Sequence, residues 1–254
     1  RSITGKIGET MSNYVILTKS AHRDTKVILD RGEAYGDKVK IALTFPQEFR
    51  NVQACYPIFF IKDGDTGQFY PAAIFGFEDN ENLFLTDQGW DATYIPMMIR
   101  RHPFLIGFQP GPNGEKAEDN PVVSIDMDNP RVNTDKGEAL FTEEGNQTPY
   151  LEGSIASLEA IHAGHEHNKV FVQALVANDL LEPFTLEITL NDGSNNQLLG
   201  FYTINEEKLR DLDGDTLSRL SKEGYLQAIY MQIASFARVR TLIDKKNALL
   251  PQGE

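Results

Sequence analysis

The segment Pro57-Ile-Phe-Phe-Ile-Lys62 constrains the fold more than any other stretch of this sequence. A continuous apolar run of this length, bounded by turn residues, reads as a strand buried on both faces. Lys62-Asp-Gly-Asp-Thr-Gly67 supplies a turn, and Phe69 to Phe77 returns as the second strand of a hairpin. The hairpin lies inside an aromatic-rich region, Phe45 to Phe108, that also holds the single cysteine, Cys55, and the single tryptophan, Trp90. After a turn at Asp79-Asn80-Glu81-Asn82, the short run Leu83-Phe84-Leu85 is predicted to add a third strand and complete an antiparallel meander.

The rest of the first half is also strand-rich. Residues 14–17 and 26–29 are short apolar segments separated by Ala21-His22-Arg23-Asp24, and both read as strands or strand ends. Strands are predicted at 39–43, 104–108 and 121–127, with a turn or one short helix over 47–54. A short helix over 94–101 tolerates Pro96 in its first turn and is ended by Pro103. Residues 109–120 form a polar loop where a subdomain boundary would fall.

The period then changes. Leu151, Ile155, Leu158 and Ile161 follow helical spacing, as do Phe171, Leu175 and Leu180, and Gly164 is expected to divide them into two helices. Residues 184–190 and 197–204 alternate around Asn191-Asp192-Gly193-Ser194 and form a second hairpin. Asn205 caps one helix, and Asp215 or Thr216 caps another containing Leu217 and Leu220. Residues 224–250 carry a long helical pattern ended by Pro251 and Gly253. The fold class is α+β: mostly antiparallel sheet in the N-terminal half, helices plus a β-hairpin in the C-terminal half.

Charge narrows the function. Lys and Arg total 24 against 37 Asp and Glu, a net charge of −13, so phosphate-rich partners are repelled and no nucleic-acid partner is expected. One cysteine excludes an internal disulfide, and in its apolar setting Cys55 reads as an inert buried thiol. No apolar run is long enough for a transmembrane segment, and the opening residues lack a secretory pattern, so a cytoplasmic protein is expected. Residues 1–10 read as a non-native extension or disordered tail ahead of Met11, and 11–254 as a single domain. The apolar face of the C-terminal helix suits either internal packing or a homo-dimer.

No catalytic motif emerges. A nucleophile elbow, a phosphate-binding glycine loop and a dinucleotide fingerprint are all missing from the sequence. His162, His165 and His167 cluster around Glu166, but without the two-histidine spacing of zinc proteases, and a solvated polar segment accounts for them. Asp211-Leu-Asp213-Gly214-Asp215 resembles part of a calcium loop with its glycine misplaced and its closing Glu absent. Asp126 and Asp128 fit a strand end and turn. No catalytic residue, metal ligand or cofactor is therefore assigned.

Glu48, Arg100 and Arg101 are charges set among apolar residues, and such charges need partners. One arginine can clasp Glu48 in a bidentate pair, leaving the other for a ligand carboxylate or phosphate; the simpler account is a structural ion pair. With His22, these three form the candidate ligand-binding set.

In this order, His22-Arg23, Glu48-Phe49, Tyr56-Pro57-Ile58, Asn82-Leu83-Phe84, Trp90, Tyr94-Ile95-Pro96 and Arg100-Arg101-His102-Pro103-Phe104 resemble the SapC family of bacterial proteins. Leu140-Phe141, Gly200-Phe201-Tyr202 and the helix around Ser235 extend the resemblance over roughly residues 13–248, with His102 where the family more often has tyrosine. The resemblance implies association with a bacterial surface layer or an uptake or modification system, since similar proteins tend to be encoded near TonB-dependent receptors, halogenase-like flavoproteins and cupin-like oxygenases. It brings no catalytic residues with it. The expected role is a non-catalytic accessory or binding protein with a protein or peptide partner. The alternatives are an enzyme of unrecognised type acting on a small anionic or peptide substrate, and a structural component of the surface layer.

Overall fold

A computed structural model describes residues 13–108 and 121–251. The expectations for residues 1–10 and for the 109–120 loop lie outside the described residues. In chain order the elements are β1 (Tyr14–Ile16), α1 (Lys19–His22), β2 (Lys26–Val27), β3 (Ile41–Leu43), α2 (Phe49–Val52), β4 (Ile58–Lys62), β5 (Phe69–Ile74), β6 (Leu85–Thr86) and β7 (Gly89–Trp90). They continue with α3 (Met97–Arg100), β8 (Phe104–Phe108), β9 (Pro121–Asp126), β10 (Val132–Asn133), β11 (Glu138–Ala139) and α4 (Pro149–Ala177). The last are β12 (Leu181–Thr189), β13 (Asn195–Ile204), α5 (Glu206–Arg210), α6 (Gly214–Lys222), α7 (Tyr225–Ser235) and α8 (Val239–Ala248). Antiparallel sheets with several helices make the fold α+β, as the sequence predicts. The chain divides into two compact units, each discontinuous in sequence: residues 38–96 with 164–251, and residues 13–37 with 97–163.

The first unit is built on a five-stranded sheet in the order β12-β13-β4-β5-β3. The predicted PIFFIK hairpin is β4 and β5, with Phe60 opposite Pro71 and Ile61 opposite Tyr70. Asp63 holds its turn: Oδ1 accepts from the amides of Asp65 and Thr66 and from the Thr66 hydroxyl. The predicted meander is corrected in one strand. Residues 83–85 do not extend the sheet; Leu85–Thr86 pairs instead with Gly89–Trp90 in a separate ribbon, and β3 is the strand beside β5. The second predicted hairpin, β12 and β13, joins the other flank of β4 through Phe201 and Tyr202.

Helix α7 packs on this sheet with two polar residues on its buried side. Ser235 Oγ accepts from the Ile58 amide at 2.9 Å, and Gln232 Nε2 donates to the Ile58 carbonyl at 2.7 Å. Both side chains are almost fully buried, so the bonds satisfy strand groups that would otherwise be stranded in an apolar layer. The long C-terminal helical pattern is broken by one 3-10 turn, Phe236–Arg238, between α7 and α8. Asp213, rather than Asp215 or Thr216, caps α6, accepting from the Thr216 amide at 2.8 Å. Asn205 caps α5 as predicted.

Gly164 does not break the helix around it. Pro149–Ala177 is one continuous α4 of 29 residues. The glycine is there for space: a Cβ on it would lie 2.7 Å from Phe45 Cγ, and Phe45 is 1% exposed.

The second unit holds the sheet β1-β9-β8 and the small sheet β10-β2-β11. Its core is Val27, Phe104, Ile125, Leu140, Leu151 and Leu158, the last two from the N-terminal turns of α4. Gly137 turns the chain from β10 to β11 at φ +99°, and a Cβ there would meet the Val27 carbonyl oxygen at 2.2 Å, so only glycine fits.

Candidate functional site

Glu48 belongs to the first unit, and His22, Arg100 and Arg101 to the second. Glu48 is 3% exposed at the end of the 3-10 turn Pro46–Glu48. Within its unit the Thr44 hydroxyl donates to Oε1 and the Tyr94 hydroxyl to Oε2, each at 2.7 Å. Two hydroxyl donors are part of how this carboxylate is accommodated away from water. Beside it, Trp90 Nε1 donates to Tyr56 Oη at 2.7 Å, and the Tyr56 hydroxyl donates to the Tyr94 carbonyl. Burial pushes the Tyr56 phenol well above its ordinary range, so it remains a neutral donor. These tyrosine hydroxyls escape sequence reasoning because an aromatic in an apolar run reads as core, whichever way its O–H points.

The α4 histidines separate by neighbour. His162 packs on Phe108, His165 edge-on against Phe45, and His167 edge-on against Tyr225. Among the described residues no group of three or more His, Cys, Asp and Glu is arranged to hold a metal ion.

In the second unit His22 is buried, and its Nδ1 lies 3.1 Å from both the amide nitrogen and the carbonyl oxygen of Thr18. Its neighbours Arg23 and Asp24 reach an open cleft of about 920 Å³, lined also by Lys26, Thr134, Ala139, Phe141, Thr142 and Glu143. The cations hold the loops that wall it. Arg23 donates to the Glu143 carbonyl, Lys26 to the Asp135 carbonyl, and Lys19 from α1 to the Glu144 carbonyl. Each cation retains further N–H donors, and Phe141 offers a half-buried ring.

The same unit contains a buried guanidinium cluster that the sequence does not announce. Arg131 is 1% exposed; Nη2 donates to Asp37 Oδ2 at 2.7 Å, Nη1 to the carbonyls of Ile28 and Asp30, and its guanidinium lies over the Tyr35 ring. Arg31 meets the other oxygen of Asp37 at 3.3 Å. Arg101 donates from Nη1 to the Phe104 carbonyl, while Arg100 is exposed at the end of α3. Burial and then the charges of Arg101, Arg131 and Arg31 hold His102 far down, at about 3, so the imidazole is neutral at physiological pH. Arg131 and Asp37 sit in turn-rich segments with no apolar pattern, which is why composition and periodicity pass over them.

A family model described as SapC matches residues 17–242, nearly the whole chain. The chain belongs to the SapC family. Comparison with curated proteins finds no match, and neither does comparison with solved structures. The match runs unbroken through both units of this SapC protein, taking in the Glu48 surroundings, the cleft and the guanidinium cluster. No helix among its described residues is long and apolar enough to cross a membrane.

Proposed function

We propose that this SapC-family chain is a non-catalytic binding protein that recognises a peptide or protein segment, as a cytoplasmic accessory of a bacterial surface, uptake or modification system. The observation that carries the reading is the cleft lined by Arg23, Lys26, Phe141 and Glu143. It combines charges of both signs, remaining backbone-directed donors and one aromatic anchor, the mixture that binds an extended chain with modest affinity. The candidate set His22, Glu48, Arg100 and Arg101 enters this proposal unequally. His22 supports the cleft from behind by fixing the chain that presents Arg23, whereas Glu48 is engaged by hydroxyls.

The test is a cross-linking pull-down from native lysate with wild type and with Phe141→Asp and Arg23→Glu variants of verified fold. Enrichment of a defined protein or peptide by wild type, lost in both variants, supports the cleft. Identical recovery by all three proteins, or nothing above a bead control, overturns it.

A further inference from the structure

Arg23, Asp24, Lys26 and Glu143 line one cavity of the second unit, the cleft of about 920 Å³. Among the described residues, none of these four side chains enters an ion pair. Backbone bonds account for this. Arg23 Nη2 donates to the Glu143 carbonyl at 2.5 Å, not to its carboxylate, and Lys26 Nζ donates to the Asp135 carbonyl at 3.3 Å. The two cations are thereby drawn to different loops. One loop is closed by the Gly145 amide on the Thr142 carbonyl, the other by Asn133 Oδ1 on the amides of Asp135 and Lys136. Ala139, paired with Lys26 in the sheet, and the half-buried Phe141 ring give the cavity an apolar lining. Thr134 adds a hydroxyl that has no partner among the described residues.

The cavity therefore offers two cations with spare N–H donors, two carboxylates with open acceptor sites, and an aromatic ring. The cations match a carboxylate, and the carboxylates match an ammonium. The backbone of an internal segment carries neither charge. A short peptide with free ends carries both, together with an apolar side chain for the ring. The ends of an extended dipeptide lie roughly 7 Å apart, a span that a cavity of this volume accommodates. We propose that the cleft binds a short peptide with free ends, its carboxylate on Arg23 and Lys26, its ammonium on Asp24 and Glu143, and an apolar side chain against Phe141. This rests on the peptide-binding reading above and narrows it to di- and tripeptides. Arg23, Asp24 and Glu143 are exposed, and exposed charge pairs are individually weak, so recognition depends on engaging both ends at once.

The experiment is isothermal titration of the intact protein with alanyl-phenylalanine, its N-acetyl form, its C-terminal amide, the doubly blocked form, and free phenylalanine. Saturable binding of alanyl-phenylalanine below about 1 mM, weakened about tenfold by blocking either end, supports the site. Arg23→Gln is expected to abolish the discrimination against the amide while keeping that against the acetyl form, and Glu143→Gln the converse. Equal binding of the free and doubly blocked dipeptides overturns the assignment of the ends and leaves the peptide-binding reading standing. Phenylalanine binding as tightly as the dipeptide overturns the assignment in favour of a single amino acid. No binding of any of the five overturns the inference, whereas the broader reading stands or falls by its own pull-down. Because wild type alone decides these three outcomes, a poorly folding variant does not shield the idea.

Discussion

Gly164→Ala tests the close packing of α4 against the loop that carries Glu48. In an exposed helix interior the substitution stabilises, by about 1 kcal/mol, because alanine restricts the unfolded chain and favours the helix. At Gly164 the new methyl would lie 2.7 Å from Phe45 Cγ and 3.0 and 3.1 Å from the two Cδ atoms. Those atoms belong to a buried ring, not to the free end of a flexible chain, so ring and helix must part. Overpacking of this kind costs about 1–3 kcal/mol, leaving a net loss of about 1 kcal/mol after the helix-propensity gain is subtracted. Gly153 of the same helix is the control: it is exposed and nothing lies within 4 Å of its Cβ position, so Gly153→Ala is expected to stabilise by about 0.5–1 kcal/mol. Urea unfolding followed by far-UV circular dichroism reads both as shifts in midpoint at unchanged slope. A double-mutant cycle with Phe45→Leu locates the cause, because the smaller side chain relieves the methyl and the two substitutions couple favourably by about 1 kcal/mol. If Gly164→Ala stabilises as much as Gly153→Ala, the steric account of this glycine is wrong.

Three further outcomes follow from the structure. Asp37→Asn removes the anion between Arg131 and Arg31 and is expected to cost about 3–5 kcal/mol, read as loss of protease resistance in segments 13–37 and 97–163; resistance equal to wild type would refute the buried-pair assignment. His102 is held at about 3 when folded, below its unfolded value of 6.5. The unfolded chain therefore binds the extra proton, and stability present above pH 6.5 is lost as pH falls toward 3, by up to about 2 kcal/mol at pH 5. His102→Tyr should flatten that slope in urea midpoints measured from pH 7 to 5, and an unchanged slope would assign it to other groups. Asp213→Ala should lower the urea midpoint through loss of the α6 cap, whereas Asp215→Ala, exposed in the first turn, should change it little; the reverse order would move the cap.

Local pattern carried much of the architecture. The β4–β5 and β12–β13 hairpins were legible because apolar runs flank turns rich in Asp, Asn and Gly, and the α5 cap because Asn205 stands directly before helix formers. The misreadings share one physical cause. Leu83-Phe84-Leu85 has strand composition, yet its neighbour is chosen by tertiary pairing, and β3 occupies the place beside β5. Gly164 is a poor helix former, but the helix tolerates it because a ring 45 residues into the chain needs the space. For the candidate site, charge among apolar residues pointed to Glu48 and Arg101, but not to the Thr44 and Tyr94 hydroxyls on Glu48.

By itself the sequence determined the α+β class, the two hairpins, the helical second half and membership of the SapC family, because each is written in short-range periodicity or in ordered motifs. Only the tertiary structure decided that Arg131 is sealed over Tyr35 against Asp37, that Arg23 and Lys26 wall a cleft, and that Ser235 and Gln232 satisfy Ile58. Those contacts join residues up to 177 positions apart. Their energetics depend on burial and on which polar group meets which, and neither is encoded in the neighbours of any one residue.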